Sequence, residues 1–131
     1  MVQLKEALKV QHKFLPEYHM DFAATYSTMS HVYHDMRNYQ EGLSYCTEAL
    51  DIYQRCLRHN HPSLAVTHRN MANNLGHLER FDEAIVHAKK AIEIFQLCRS
   101  SDHEDIKEGE RLLHGLQTTQ QHYQNLTMKN S

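Results

Sequence analysis

Apolar residues recur along this chain at steps of three and four, with polar residues between them. Phe22, Tyr26, Met29, Tyr33 and Met36 form one such series, and Leu64, Met71, Leu75 and Leu78 another. Leu43, Cys46, Leu50 and Tyr53 form a third, and Ile85, Ala88, Ile92 and Phe95 a fourth. That spacing lines one face of a 3.6-residue helix, so it predicts helices over roughly 20–36, 39–57, 62–78 and 81–98. Pro62 suits a first helical turn, where its missing N–H costs nothing. Ser101 with Glu104 reads as a capping box opening a last helix.

The four segments are two copies of one unit. Shifted by 42 residues, "HPSLAVTHRNMANNLGHLERFDEAIVHAKKAIEIFQLC" falls on "HMDFAATYSTMSHVYHDMRNYQEGLSYCTEALDIYQRC". His61 then meets His19, Ala65 meets Ala23, Met71 meets Met29, Ala91 meets Ala49 and Cys98 meets Cys56. The register runs off both ends: Ala7 stands one period before Ala49, and His103 one period after His61. Small residues sit where the two helices of a unit must approach closely, Ser30, Gly42 and Ala49 in one copy and Ala72, Ala84 and Ala91 in the other. A bulky group at such a place costs about 1–3 kcal/mol. The third copy has His114 there, which fits a unit whose second helix is absent.

The pattern therefore divides residues 1–131 as a single array. Residues 1–18 are a trailing second helix, 19–60 and 61–102 full units, and 103–119 a closing first helix. Residues 120–131 form a short helix extension and then a loose tail. The fold class is all-α, with about six helices in antiparallel hairpins.

Composition narrows the function. Four Gly and two Pro in 131 residues leave little room for a turn-rich β fold, and a net charge of −2 gives no basic footprint for nucleic acid. No stretch is apolar enough for a membrane span or a signal peptide. Cys46, Cys56 and Cys98 are an odd set without CxxC spacing, which reads as small buried side chains in a reducing, cytoplasmic setting. No phosphate loop, paired catalytic carboxylates or Ser-His-Asp spacing appears, so no enzyme activity and no cofactor is expected.

The spacing of Ser30, Tyr33, Tyr39, Gly42 and Ala49, and of Ala72, Leu75, Phe81, Ala84 and Ala91, resembles the tetratricopeptide repeat. The usual period is about 34 residues. The longer form here, with "NHPSLA" in the connection, resembles the repeats of kinesin light chain. Of that family's asparagine pair Asn70 survives in the second copy, and "YSTMS" in the first copy has neither.

The resemblance implies a right-handed solenoid whose first helices line a concave groove. It also implies a protein-interaction scaffold that holds a peptide or helix of a partner. A regulatory segment of a larger enzyme or signalling protein, and self-association through exposed terminal faces, are the alternatives. The family's register places Ala24, Ser27, His31, His34 and Asp35 in the groove from the first full copy. From the second it places Val66, Arg69, Asn73, Gly76 and His77, with Glu108 and Arg111 following from the last helix.

Arg69 and Asn73, one turn apart, match the positions with which such domains grip a C-terminal carboxylate. Arg111 would add a second cation and Asn70 a backbone-gripping amide, so an acidic or C-terminal peptide is the expected ligand. His31 and His34, with His77 opposite, are read as polar groove residues rather than a metal site, because zinc wants three or four ligands. Their charging near pH 6.5 implies that an acidic peptide binds more tightly as pH falls from about 8 to 6. His61, His19 and His103 are read as structural residues of the connections.

Overall fold

The computed structural model describes residues 4–5, 20–100 and 102–129. Among these residues there are five principal helices and no strand: α1 Met20–Asp35, α2 Tyr39–Cys56, α3 Pro62–His77, α4 Phe81–Cys98 and α5 Glu104–Lys129. Leu4 and Lys5 are also helical, but most of the leading helix expected over residues 1–18 lies outside the described residues, as do His19 and Ser101. α1 packs on α2 and α3 on α4 as hairpins, α2 against α3 joins them, and α5 closes on α4.

Each joint has a local cause. α1 and α3 end through the same left-handed residue one period apart, Arg37 at φ 62° and Glu79 at φ 63°. The N–H of Asn38 then reaches back to Tyr33 O at 2.9 Å, and that of Arg80 to Leu75 O at 2.9 Å, reversing the chain into α2 and α4. Pro62 occupies the first turn of α3, and His61 caps it, its Nδ1 accepting the Ser63 N–H at 3.1 Å. His103 does the same for the Asp105 N–H at 3.0 Å, before α5. Both histidines are therefore helix caps. Thr25 and Thr67 repeat as well, donating to Asp21 O at 3.0 Å and Ser63 O at 2.8 Å.

The core runs as one cluster through both hairpins, with Phe22, Phe95 and the small residues Ala49, Ala72, Ala84 and Ala91 almost wholly buried. Met36 departs from the apolar stripe expected of it. It falls in the turn beyond α1 and is 61% exposed. The thiols also divide: Cys46 is buried, Cys98 half-buried and Cys56 exposed, so burial does not hold for all three. Cys98 donates to Asn60 O at 2.9 Å, tying the end of α4 to the connection before α3.

The expected loose tail is helix as far as Lys129. Tyr123 packs on Phe81 with ring centres 5.4 Å apart, and its hydroxyl donates to Glu79 Oε1 at 2.8 Å. Gln120 Nε2 donates to Asp82 Oδ1 at 2.6 Å. These contacts reach back to the turn between α3 and α4, which holds α5 beyond the length the third copy predicts. His114 is exposed, with no second helix against it among the described residues.

Candidate functional site

Two depressions lie side by side across the first helices of successive units. Ser30, His31 and His34 of α1 and Asn70, Asn73 and Asn74 of α3 line the first, a cavity of about 40 Å³. Asn73, Gly76 and His77 of α3 line the second with Phe81 and the α5 residues Arg111, Leu112, Leu116 and Thr119, around about 430 Å³. Asn73 belongs to both. Helical spacing sets this arrangement, since Asn70, Asn73 and His77 fall at steps of three and four on one face of α3.

The predicted residues thus come together in part. His31, His34, Asn70 and Asn73 share the first depression, and Asn73, His77 and Arg111 the second. Ser27 and Asp35 line neither. Asp35 is exposed beside His31 and His34, at 3.9 Å and 3.7 Å.

The two arginines are not free cations. Arg69 Nη1 lies 3.3 Å from Glu108 Oε2 and 3.5 Å from Asp105 Oδ1. Its guanidinium stands 5.5 Å from the centre of the Phe95 ring. Arg99 approaches the other Asp105 oxygen at 3.5 Å. Arg111 is held by Glu104 at 2.6 Å, which, with the charge of Arg111, lowers the Glu104 pKa. A carboxylate clamp built on Arg69 and Arg111 is therefore already occupied by the protein's own carboxylates.

His77 stacks on Tyr39 with ring centres 4.2 Å apart and planes within 7°. His34 meets both rings edge-on, 5.3 Å from Tyr39 and 5.4 Å from His77. Burial, then the neighbouring His34 and Arg37, push the His77 pKa down. Its charging near pH 6.5, expected above, is corrected on that ground: the cation is disfavoured where the ring is stacked and near Arg37.

Periodicity alone missed a polar layer under the first depression. Ser30 Oγ donates to Gly42 O at 2.7 Å and lies 2.6 Å from Cys46 Sγ. Asn74, fully buried, donates through Nδ2 to Asn70 O at 3.0 Å and to Cys46 Sγ at 3.8 Å. Burial raises the Cys46 pKa, with the hydrogen bonds it shares with Ser30 and Asn74 acting the other way, so the thiol stays protonated and can donate to Ser30 Oγ. Asn74 Oδ1 and His34 Nε2 are buried without a partner. Among the described residues no group of three His, Cys, Asp or Glu is placed to hold a metal ion, and no helix is long and apolar enough to cross a membrane.

Comparison with known proteins agrees with this architecture. No curated protein matches the chain. A crystal structure from Podosopora anserina, of the nearly identical TPR-like repeats attributed to a kinesin light chain, matches with a TM-score of 0.69 at 20% sequence identity. The match covers 95% of this chain and 61% of that one, so this chain spans about three fifths of the chain it matches. At that identity the likeness is one of fold. The family model of the tetratricopeptide repeat matches residues 21–96, more than half of the chain and both complete hairpins. The chain belongs to the tetratricopeptide repeat family, whose repeats generally mediate protein–protein interaction.

Proposed function

We propose that the protein is a non-catalytic scaffold that holds a segment of a partner polypeptide along the face built by α1, α3 and α5. The observation that carries this reading is the sharing of Asn73 between two adjacent depressions, which gives a polar track across two unit boundaries. A primary amide offers both donors and an acceptor, so Asn70 and Asn73 can pair with backbone N–H and C=O groups of a ligand whatever its sequence. His77 stacked on Tyr39, with His34 edge-on to both, supplies a rigid wall beside that track.

A partner carboxylate enters this groove by exchange. It replaces Glu104 at Arg111, a pair that is more than half exposed and costs little to open, in preference to the better-shielded Arg69. Cys46, Cys56 and Cys98, an odd set without CxxC spacing, suit a reducing, cytoplasmic setting.

A peptide-array screen of the purified protein tests the reading, wild type against Asn70→Ala/Asn73→Ala. The expected result is a defined class of peptides bound by the wild type and weakened at least roughly tenfold in the double variant, with melting unchanged. Binding that survives both substitutions moves the site off this face. Absence of any binding by the wild type overturns the scaffold reading itself.

A further inference from the structure

His68 of α3 and His87 of α4 face each other inside the second hairpin, on the side away from the groove residues Asn70 and Asn73. Their Nδ1 atoms are 2.8 Å apart and their rings stack with centres at 5.1 Å and planes 26° apart. His68 is almost wholly buried and His87 half-buried. One period earlier the same two places hold Tyr26 and Tyr45, also stacked, with ring centres 5.9 Å apart. The first hairpin therefore carries a pair of phenols, which hold their protons throughout the acid range, and the second a pair of imidazoles, which take up protons within it.

A contact between two Nδ1 atoms at that distance is a hydrogen bond only if one ring brings the proton and the other its lone pair. Two neutral rings of opposite tautomer satisfy it, and one proton added at an Nε2 leaves it intact. Two fully charged rings present two N–H donors and two like charges to each other, and the bond is lost. We infer that His68 and His87 form an acid-sensitive latch that holds α3 to α4 at neutral pH and lets go as both rings become charged.

The surroundings favour the neutral rings. Lys90, one turn beyond His87 on α4, opposes a further positive charge on His68, while Glu83 on α4 is the one carboxylate acting on His87, and acts to favour its cation. Gln54 of α2 and His59 of the connection before α3 line the same pocket as His68 and Lys90 and bring no negative charge. Arg69, the next residue along α3, is engaged with Asp105 and Glu108 of α5, so those carboxylates are spoken for. Burial first, then His87 and Lys90, push the His68 pKa down to about 4, and burial lowers that of His87. An unfolded histidine takes its proton near pH 6.5, so the unfolded chain gains protons first. The latch is thus fully effective above about pH 6.5, and its contribution drains away as pH falls towards 4.

The test is thermal unfolding between pH 7.5 and 5, wild type against His68→Tyr/His87→Tyr, which copies the pair of the first hairpin. The other histidines are common to both proteins and cancel in the comparison. The wild-type midpoint should fall by roughly 3–6 °C more than the variant's over that range. If the tyrosines do not fit, His68→Asn/His87→Asn keeps hydrogen-bonding groups without either titration and takes their place. Imidazole nitrogen NMR of the wild type at pH 7.5 should show one ring of the pair protonated on Nδ1 and the other on Nε2. Equal pH dependence in wild type and variant, or two rings charging independently near pH 6.5, overturns the latch.

Discussion

Gly42 and Asn74 meet across the joint between the first and second hairpins, with no space between them for a methyl group. A Cβ on Gly42 would stand 2.7 Å from Asn74 Oδ1, and Asn74 is fully buried with its amide held by Asn70 O at 3.0 Å, so swinging it aside strains that bond. Alanine in a helix is ordinarily better than glycine by about 1 kcal/mol, but overpacking a buried contact costs about 1–3 kcal/mol. Gly42→Ala should therefore lower stability by on the order of 1 kcal/mol. Gly115→Ala, where nothing lies within 4 Å of the added carbon, should raise it by about 0.5–1 kcal/mol. Urea unfolding of both variants checks the pair; a stabilised Gly42→Ala would mean the joint is looser than these distances allow.

Arg69 binds the structure together before it binds any partner. Its charge bridges α3 to Asp105 and Glu108 of α5, and its guanidinium lies over the Phe95 ring of α4. The pairs are partly exposed, so solvent screening discounts them, and the packing adds to what remains. Arg69→Ala should cost about 1–2 kcal/mol of stability, with the loss shrinking in high salt, whereas Arg69→Met should recover the packing share. A variant that melts like the wild type would return Arg69 to the list of residues free to grip a ligand.

Helix limits, hairpin pairing and the small-residue contacts were legible in the sequence because each is written twice, one period apart. Ser30 and Ala72, and Gly42 and Ala84, are all small, and a self-comparison finds that directly. That Asn70, Asn73 and His77 share a helical face, and so line neighbouring depressions, was legible from their spacing alone. What stayed hidden lies between units and differs between copies. Asn74 is polar, and a periodic reading sends polar residues to the surface, yet it is buried against Gly42 and Cys46. The partners of Arg69 stand 36 and 39 residues away, and His77 stacks on a tyrosine 38 residues before it. None of these distances matches the 42-residue shift that revealed the repeat, so no sequence comparison at that shift brings the partners together. His68 and His87 were hidden differently, as departures from the Tyr26 and Tyr45 pattern rather than as parts of it.

Arg37 holds a left-handed backbone, φ 62°, at the end of α1. A side chain there crowds the carbonyl oxygen, and the strain is of the order of 1 kcal/mol that glycine does not incur. The bond it serves, from the Asn38 N–H to Tyr33 O at 2.9 Å, uses backbone alone and survives the change. Arg37→Gly should accordingly raise stability by about 0.5–1 kcal/mol in chemical unfolding. It also removes a cation near His77, so the His77 pKa should rise in a histidine NMR titration. Loss of stability on this substitution would show that the Arg37 side chain makes a contact worth more than the strain.

The far end of α5 makes an aromatic contact with the start of α4. Beyond Leu116 its residues are exposed apart from the half-buried Gln120, and a helical stretch of that length is marginal in water when nothing holds it. Tyr123 supplies the hold twice over, through its ring on Phe81 and its hydroxyl on Glu79. The hydrogen bond to the Glu79 carboxylate and that residue's charge both raise the Tyr123 pKa, which keeps the donor protonated at neutral pH. Tyr123→Ala should speed amide exchange over residues 120–129 by roughly threefold to tenfold and leave α1 to α4 unchanged, because local opening there is separable from the core. Tyr123→Phe keeps the ring and loses only the hydroxyl, so its exchange should fall between the two. Equal exchange in all three proteins would mean that Gln120 and Asp82, joined at 2.6 Å, anchor this end without the tyrosine.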